Sequence, residues 1–261
     1  MLPPPHAYLL DLDGTLYVGK AAVPGAPEAL ERLREQKIPH RLVTNTTSRS
    51  RTMLVQRLRA YGFDVDAEDI FTATRAGAEL ARARGHRRVV PFVPEAALED
   101  LQELELSGGT SGRRPLPHPE AVIVGDLGER WTYALLQEAF EYLMSGAALI
   151  ALSRDRYWLR GERLALDAGP FVAGLEFATG KTAVIAGKPS PEFYSAALRS
   201  LGLEPGMPAA MVGDDLWADV QGGQRAGLQG WLVRTGKYRQ DALTASGITP
   251  DRILESVAAL V

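Results

Sequence analysis

Two short apolar runs, each ending abruptly in carboxylates, constrain this chain more than any other feature. Ala7-Tyr8-Leu9-Leu10 stops at Asp11-Leu12-Asp13-Gly14-Thr15, and Ala209-Ala210-Met211-Val212 stops at Gly213-Asp214-Asp215. A short apolar run without alternation reads as a strand buried on both faces, as in a parallel sheet covered by helices. The carboxylates that follow then fall in the loops beyond the carboxyl ends of those strands.

The neighbouring segments follow the same plan. Pro27 to Gln36 carries Ala29, Leu30 and Leu33 between charged residues, a helical period, and His40-Arg41-Leu42-Val43 is a second strand. Thr44-Asn45-Thr46-Thr47-Ser48 supplies N-cap hydroxyls ahead of a helix predicted from Thr52 to Tyr61, with Gly62 as its stop. Gly230-Trp231-Leu232-Val233 is a further strand, ending in Arg234-Thr235-Gly236. Strands alternating with helices predict an α/β fold, a doubly wound parallel sheet of Rossmann-like form. Ligands of such sheets bind beyond the carboxyl ends of the strands, where Asp11, Asp13, Thr44, Asp214 and Asp215 would converge.

Acidic strand ends lie both early and late in the chain, so the intervening strand and helix units (Arg87 to Val93, Ala121 to Val124, Ala148 to Leu152, Tyr157 to Leu159) predict an insertion. Residues 1–75 and 181–261 are expected to form the catalytic core and 76–180 an inserted α/β cap domain, with a loop from Ser107 to Pro119. Gly174 to Thr182 resembles a phosphate-binding P-loop but has five residues between its glycines where that motif has four, and it reads as a helix end in the cap.

Composition narrows the function. The 261 residues are 46% hydrophobic and 23% charged with a net charge of -3, the profile of an ordinary globular protein. Basic residues form no stripe that could follow a nucleic-acid backbone, so nucleic acid is excluded as a partner. With no cysteine, thiolate metal sites, disulfides and cysteine nucleophiles are excluded too. No apolar run is long enough to span a bilayer and the first residues lack a signal-peptide pattern, so the expectation is a cytoplasmic protein without membrane attachment.

Phosphoryl transfer requires a nucleophile, a charge sink for the phosphoryl oxygens and an acid for the leaving oxygen. Asp11 suits the first role and Asp13 the last. A carboxylate approaches an anionic phosphate only with a cation between them, and an all-oxygen acidic site suits Mg²⁺. Asp214 offers a second metal ligand, with Asp215 and Asp219 placed to hold metal-bound water. Lys188, in Gly187-Lys188-Pro189, supplies fixed positive charge, while Thr44, Asn45 and the turn at Gly14 can hold phosphoryl oxygens. Taken singly, Asp-x-Asp-Gly reads as a turn, Thr44-Asn45 as a helix cap and Lys188 as a surface lysine. Their common arrangement carries the chemistry.

In order, Asp11-Leu12-Asp13-Gly14-Thr15-Leu16, Thr44-Asn45, Gly187-Lys188-Pro189 and Gly213-Asp214-Asp215 with Asp219 resemble the four motifs of the haloacid dehalogenase superfamily. The long insert between the second and third resembles its type IIA, NagD-like branch. Val43 to Thr47, Asp167 to Phe171, Gly187 to Phe193 and Val233 to Tyr238 look most like the phospholysine phosphohistidine inorganic pyrophosphate phosphatases. The resemblance implies a small phosphorylated substrate, an aspartyl-phosphate intermediate on Asp11, Mg²⁺ held by Asp11, Asp214 and the backbone carbonyl of Asp13, and a cap that closes to exclude water and select substrate. It also allows a homodimer through the cap. The segment Ala151 to Trp158 lacks the Asn-x-Asp that many members carry there, leaving Arg154, Arg156 and Tyr157 as candidate substrate contacts. The competing expectations are a non-catalytic phosphate-ligand sensor and a phosphotransferase to an acceptor other than water.

Overall fold

The computed structural model describes residues 3–160, 163–204 and 206–260, with residues 159 and 160 as backbone only. The chain divides into two compact units. The first takes in residues up to Thr44, Thr52–Phe71 and Lys188 onward; the second takes in Asn45–Arg51 and Thr72–Gly187 and so interrupts the first along the sequence.

Among the described residues the first unit is built on a six-stranded sheet in the order Arg252–Leu254, Gln229–Val233, Ala209–Gly213, Ala7–Asp11, His40–Thr44, Ile70–Thr72. The pairings along the first five strands are parallel. Every residue of Ala7–Asp11 and of Ala209–Gly213 is buried, as unalternating apolar runs require. Tyr8, Leu10, Leu42, Val212 and Val233 turn one face of the sheet toward Leu30 and Leu33 of the Ala26–Glu35 helix and Leu54 and Leu58 of the Arg51–Ala60 helix. Each fully buried leucine there contributes about 1.5–3 kcal/mol. On the other face Leu232 packs with Leu216 and Val220, and Phe193 of the Pro191–Arg199 helix meets Phe71 edge-on. Helices on both faces make this a doubly wound α/β sheet.

The second unit has its own five-stranded sheet, ordered Val184–Ile185, Ala148–Ala151, Ala121–Val124, Arg88–Phe92, Glu105–Leu106 and parallel throughout. Val90, Phe92, Val122, Val124 and Leu149 form a core with Leu143 of the Tyr133–Met144 helix and Val172 and Leu175 of the Gly169–Thr179 helix. Trp131 stacks between Phe92 and Phe171, with ring centroids 5.8 and 5.0 Å away.

Several local features differ from the sequence reading. The strand expected at Tyr157 to Leu159 is one arm of an antiparallel hairpin, Tyr157–Arg160 with Arg163–Leu166. Its second arm is mostly exposed and carries no buried apolar period that would mark it. The Ala73–Ala83 helix begins directly at the strand Ile70–Thr72, whose Thr72 hydroxyl accepts the Arg75 N–H at 3.0 Å as an N-cap. The P-loop-like segment is a helix end: Gly180 terminates Gly169–Thr179 in the left-handed conformation, φ 68°. No helix among the described residues is long and apolar enough to cross a membrane.

Candidate active site

Asp11 closes the central strand of the first unit. It is in register with Val43, so Thr44 lies one residue further along the adjacent strand, and on the other side the Leu10–Val212 pair brings Asp214 into the same loop region. Beyond Asp11 the chain turns sharply: the Leu12 carbonyl accepts the N–H groups of Thr15, Leu16 and Tyr17, and Gly14 N–H donates to Tyr17 O at 2.7 Å. Gly14 holds φ at +93°, a conformation that disfavours a side chain, and a Cβ there would stand 1.9 Å from Asp214 Oδ2. Glycine lets the turn lie against that carboxylate.

Lys188 enters from the strand-to-helix connection ahead of Pro191–Arg199 and is 4% exposed. Its Nζ donates to Asp11 Oδ1 at 2.6 Å and to Asp219 Oδ1 at 2.7 Å. Burial alone would push its ammonium pKa down, but the carboxylates of Asp11 and Asp219 outweigh that and hold it well above the usual lysine value. Asp219 is presented by a π-helical turn, Leu216–Gln221, in which the Val220 N–H reaches back to Asp215 O at 3.1 Å. Its Oδ2 accepts the Asp215 N–H at 3.1 Å, fixing the carboxylate from the other side.

Asp214 Oδ2 accepts the Lys237 N–H at 2.6 Å. Its carboxyl is pushed up to about 7, first by burial and then by Asp219, and burial likewise raises Asp11 well above the carboxylate range although Lys188 opposes it. Asp11, Asp214 and Asp219, all buried, offer carboxylate oxygens within 4.8 Å of one another. Three carboxylates against the Lys188 ammonium leave negative charge uncompensated in a buried place. An all-oxygen donor set of this kind fits a hard divalent cation such as Mg²⁺.

The remaining sequence-derived residues separate into several groups. Asp215 caps the π-helical turn: Oδ1 accepts from Trp217 and Ala218 N–H at 3.0 Å each, and Oδ2 pairs with Lys237 Nζ at 2.9 Å. Burial opposes its ionisation, yet Lys237 and these N–H groups hold it below the usual range. Asp13 is exposed, and its Oδ2 accepts the hydroxyl of Tyr17 at 2.7 Å. Thr44 is buried at the strand end. Asn45 belongs to the second unit, where its Oδ1 would stand 2.8 Å from a Cβ at Gly187. Arg154, Arg156 and Tyr157 are exposed in the second unit; Arg154 Nη2 pairs with Glu176 at 2.6 Å.

Sequence reasoning missed the roles of Tyr17, Lys237 and Thr235, whose hydroxyl donates to Gly14 O. A signal existed in the segment Val233 to Tyr238, which follows a buried strand and must therefore meet the same loop cluster. Gly236 shows how closely it does so, since a Cβ there would lie 2.0 Å from Asp214 Oδ2.

Comparison with known proteins agrees with this geometry. The profile of the haloacid dehalogenase-like hydrolases matches residues 8–107, and a second, HAD-hydrolase-like profile matches 185–260. The haloacid dehalogenase-like hydrolase domain-containing protein 2 of Bos taurus is 43% identical over 233 residues, covering 89% of this chain and 85% of its own length. The phospholysine phosphohistidine inorganic pyrophosphate phosphatase of Homo sapiens is 32% identical over 259 residues, covering 97% and 92%. The glycerol phosphate phosphatase of Mycobacterium tuberculosis, solved in complex with magnesium, superposes with a TM-score of 0.83 at 29% identity, covering 98% of this chain and 76% of that one. By its motifs, its fold and these relatives, the chain belongs to the haloacid dehalogenase-like hydrolases, in the branch that holds these phosphatases.

Proposed function

We propose that the protein is a Mg²⁺-dependent phosphatase that hydrolyses a small phosphorylated metabolite, a phosphomonoester, phosphoramidate or pyrophosphate, through an aspartyl-phosphate on Asp11. The observation that carries this reading is the placement of Lys188 Nζ within 2.6 Å of Asp11 and 2.7 Å of Asp219, beside the oxygens of Asp214. A buried lysine bridging two carboxylates holds the nucleophile's second oxygen in place and leaves positive charge where a phosphoryl group would arrive. Asp11, Asp214 and the Asp13 carbonyl are the groups we assign to the metal, with Asp219 and Asp215 behind them. When bound, Mg²⁺ supplies charge neutralisation between phosphate and carboxylate.

In the first half-reaction an Asp11 carboxylate oxygen bonds to phosphorus as the bond from phosphorus to the leaving oxygen, or in a phosphoramidate the leaving nitrogen, breaks, and Asp13 gives that atom its proton. In the second, Asp13, now ionised, takes a proton from water as the water oxygen bonds to phosphorus and the Asp11 oxygen is released. Thr44 and the turn at Gly14 hold the remaining phosphoryl oxygens.

The test is phosphate release from p-nitrophenyl phosphate, pyrophosphate, phospholysine, pyridoxal phosphate and nucleoside monophosphates, with Mg²⁺, with chelator and with Asp11→Asn. Metal-dependent release that disappears in a folded Asp11→Asn protein is expected. Turnover retained by that variant would overturn the assignment of the nucleophile, and silence of the wild type across the panel would leave a phosphate-binding sensor as the better reading.

A further inference from the structure

Asp13 stands on the exposed side of the turn, where a carboxylate side chain would ordinarily sample several rotamers. It is not left to do so here. Tyr17 lies four residues beyond it, brought back alongside by the Gly14 N–H bond to Tyr17 O at 2.7 Å and by a bridge between the two backbones. The tyrosine is itself fully buried, at 0% exposure, and its hydroxyl donates to Asp13 Oδ2 at 2.7 Å.

The ring that carries this hydroxyl is clamped from a second element. Arg57, on the Arg51–Ala60 helix, places its guanidinium carbon 4.6 Å from the Tyr17 ring centroid. Arg57 is anchored in turn by Nη2 to Gly19 O at 2.7 Å and by Nε to Tyr61 Oη at 3.2 Å, and the Tyr61 ring packs on Tyr17 with centroids 5.5 Å apart. A phenol occupying Oδ2 leaves Oδ1 as the oxygen free to carry and deliver a proton. Oδ1 is then held in one direction by a buried side chain packed against Arg57 and Tyr61.

We propose that Tyr17 is a positioning residue for proton delivery to the leaving group, acting through Asp13 and held in place by Arg57. The inference rests on the assignment of Asp13 as acid and base. It adds a specific consequence: the hydroxyl matters in proportion to how much the leaving group needs a proton. Nitrophenolate departs without one, whereas an alkoxide cannot.

The experiment compares kcat/KM, which reports the first phosphoryl transfer, for p-nitrophenyl phosphate and β-glycerol phosphate in wild type, Tyr17→Phe and Asp13→Asn. Tyr17→Phe keeps the buried ring and removes only the hydroxyl. It is expected to lower kcat/KM for the alkyl ester roughly 10-fold, the worth of one lost hydrogen bond. The aryl ester should change by less than about 2-fold, and Asp13→Asn should show the same selectivity with a larger amplitude. Equal losses on both esters, or none on either, in Tyr17→Phe beside a selective Asp13→Asn would overturn the role of Tyr17 alone. An Asp13→Asn protein without selectivity would overturn the acid assignment beneath it. If Tyr17→Phe does not fold, Arg57→Met, which frees the ring but keeps the hydroxyl, takes its place in the same comparison, with a smaller difference of the same sign expected and equal effects overturning the proposal.

Discussion

Lys188 Nζ lies 2.7 Å from Asp219 Oδ1 while also holding Asp11 at 2.6 Å, so one buried ammonium joins the end of the first strand to the turn after a strand near the other end of the chain. Removing it would leave Asp11, Asp214 and Asp219 facing one another without their cation. Breaking a buried pair in this way costs about 3–5 kcal/mol. Lys188→Met is therefore expected to unfold at lower denaturant in chelator than in Mg²⁺, by more than the wild type does, and to lose at least about 100-fold in kcat. Urea titrations with and without metal check the first expectation and steady-state rates the second.

Metal binding itself is measurable without turnover. If the acidic cluster takes Mg²⁺, then at a hundred times its Kd the ion adds about 2.7 kcal/mol to folding stability, and chelator removes it. Asp214→Asn should abolish most of that gain, because Asp214 belongs to the cluster. Asp215→Asn should keep a larger share, because its oxygens are committed to Trp217, Ala218 and Lys237. Thermal melts of the three proteins with and without Mg²⁺ decide it; equal shifts in all three would place the ion elsewhere.

Gly14→Ala is a steric test of the same place. The added methyl would meet Asp214 Oδ2 at 1.9 Å and sit on a backbone at φ +93°. The expected result is a loss of more than about 1 kcal/mol in stability, since an alanine at positive φ is strained before any clash is counted. The Mg²⁺-induced melt shift should fall as Asp214 is displaced. Gly19→Ala, also at positive φ but with nothing within 4 Å, separates backbone strain from the clash.

In the second unit, Asp167 gives a pH signature of its own. Its half-buried carboxyl is pushed up from 3.8 to about 6, by burial first, against the Ala168 N–H, with Asp126 and Asp155 adding to the rise. The folded protein therefore keeps this proton where the unfolded chain has released it. The stabilising contribution is complete below about 3.8 and is lost as pH rises through about 6. Asp167→Asn removes the titration, so the stability of the variant relative to wild type should climb between those pH values and level off above them. Chemical denaturation across that range measures it, and a constant difference would contradict the shift.

The core fold was legible because its strands announce themselves twice, as unalternating apolar runs and by the carboxylates or hydroxyls that end them. Asp11, Thr44 and Asp214 sit at such ends, and position at the end of a buried strand dictates convergence in a parallel sheet. Lys188 is different. It follows a strand of two residues, Val184–Ile185, in the second unit, and taken alone it reads as a surface lysine; the need for a cation beside the carboxylates singled it out, and the resemblance of its short motif supported it. Asp219 was read as a residue that holds metal-bound water, but its direct bond to Lys188 depends on a π-helical turn that no residue pattern specifies. Tyr17 escaped notice because a buried tyrosine after Gly-Thr-Leu reads as core packing, and its ring does pack; the hydroxyl is informative only when Asp13 is seen opposite it. The Arg163–Leu166 arm was missed for the opposite reason, since an exposed strand has no apolar period.

The pairing of Ala7–Asp11 with Ala209–Gly213 has a consequence for how the protein is made. Asp11 is synthesised 177 residues before the lysine that holds it, and Asp214 and Asp219 follow later still. Until then the central strand lacks one of its two neighbours and Asp11 has no cation to bond. A nascent chain interrupted before this point carries an inert carboxylate on an incomplete sheet with an exposed strand edge. The bond between Lys188 and Asp11 thus waits on synthesis of the whole intervening second unit, and the Ala209–Gly213 neighbour of the central strand follows it.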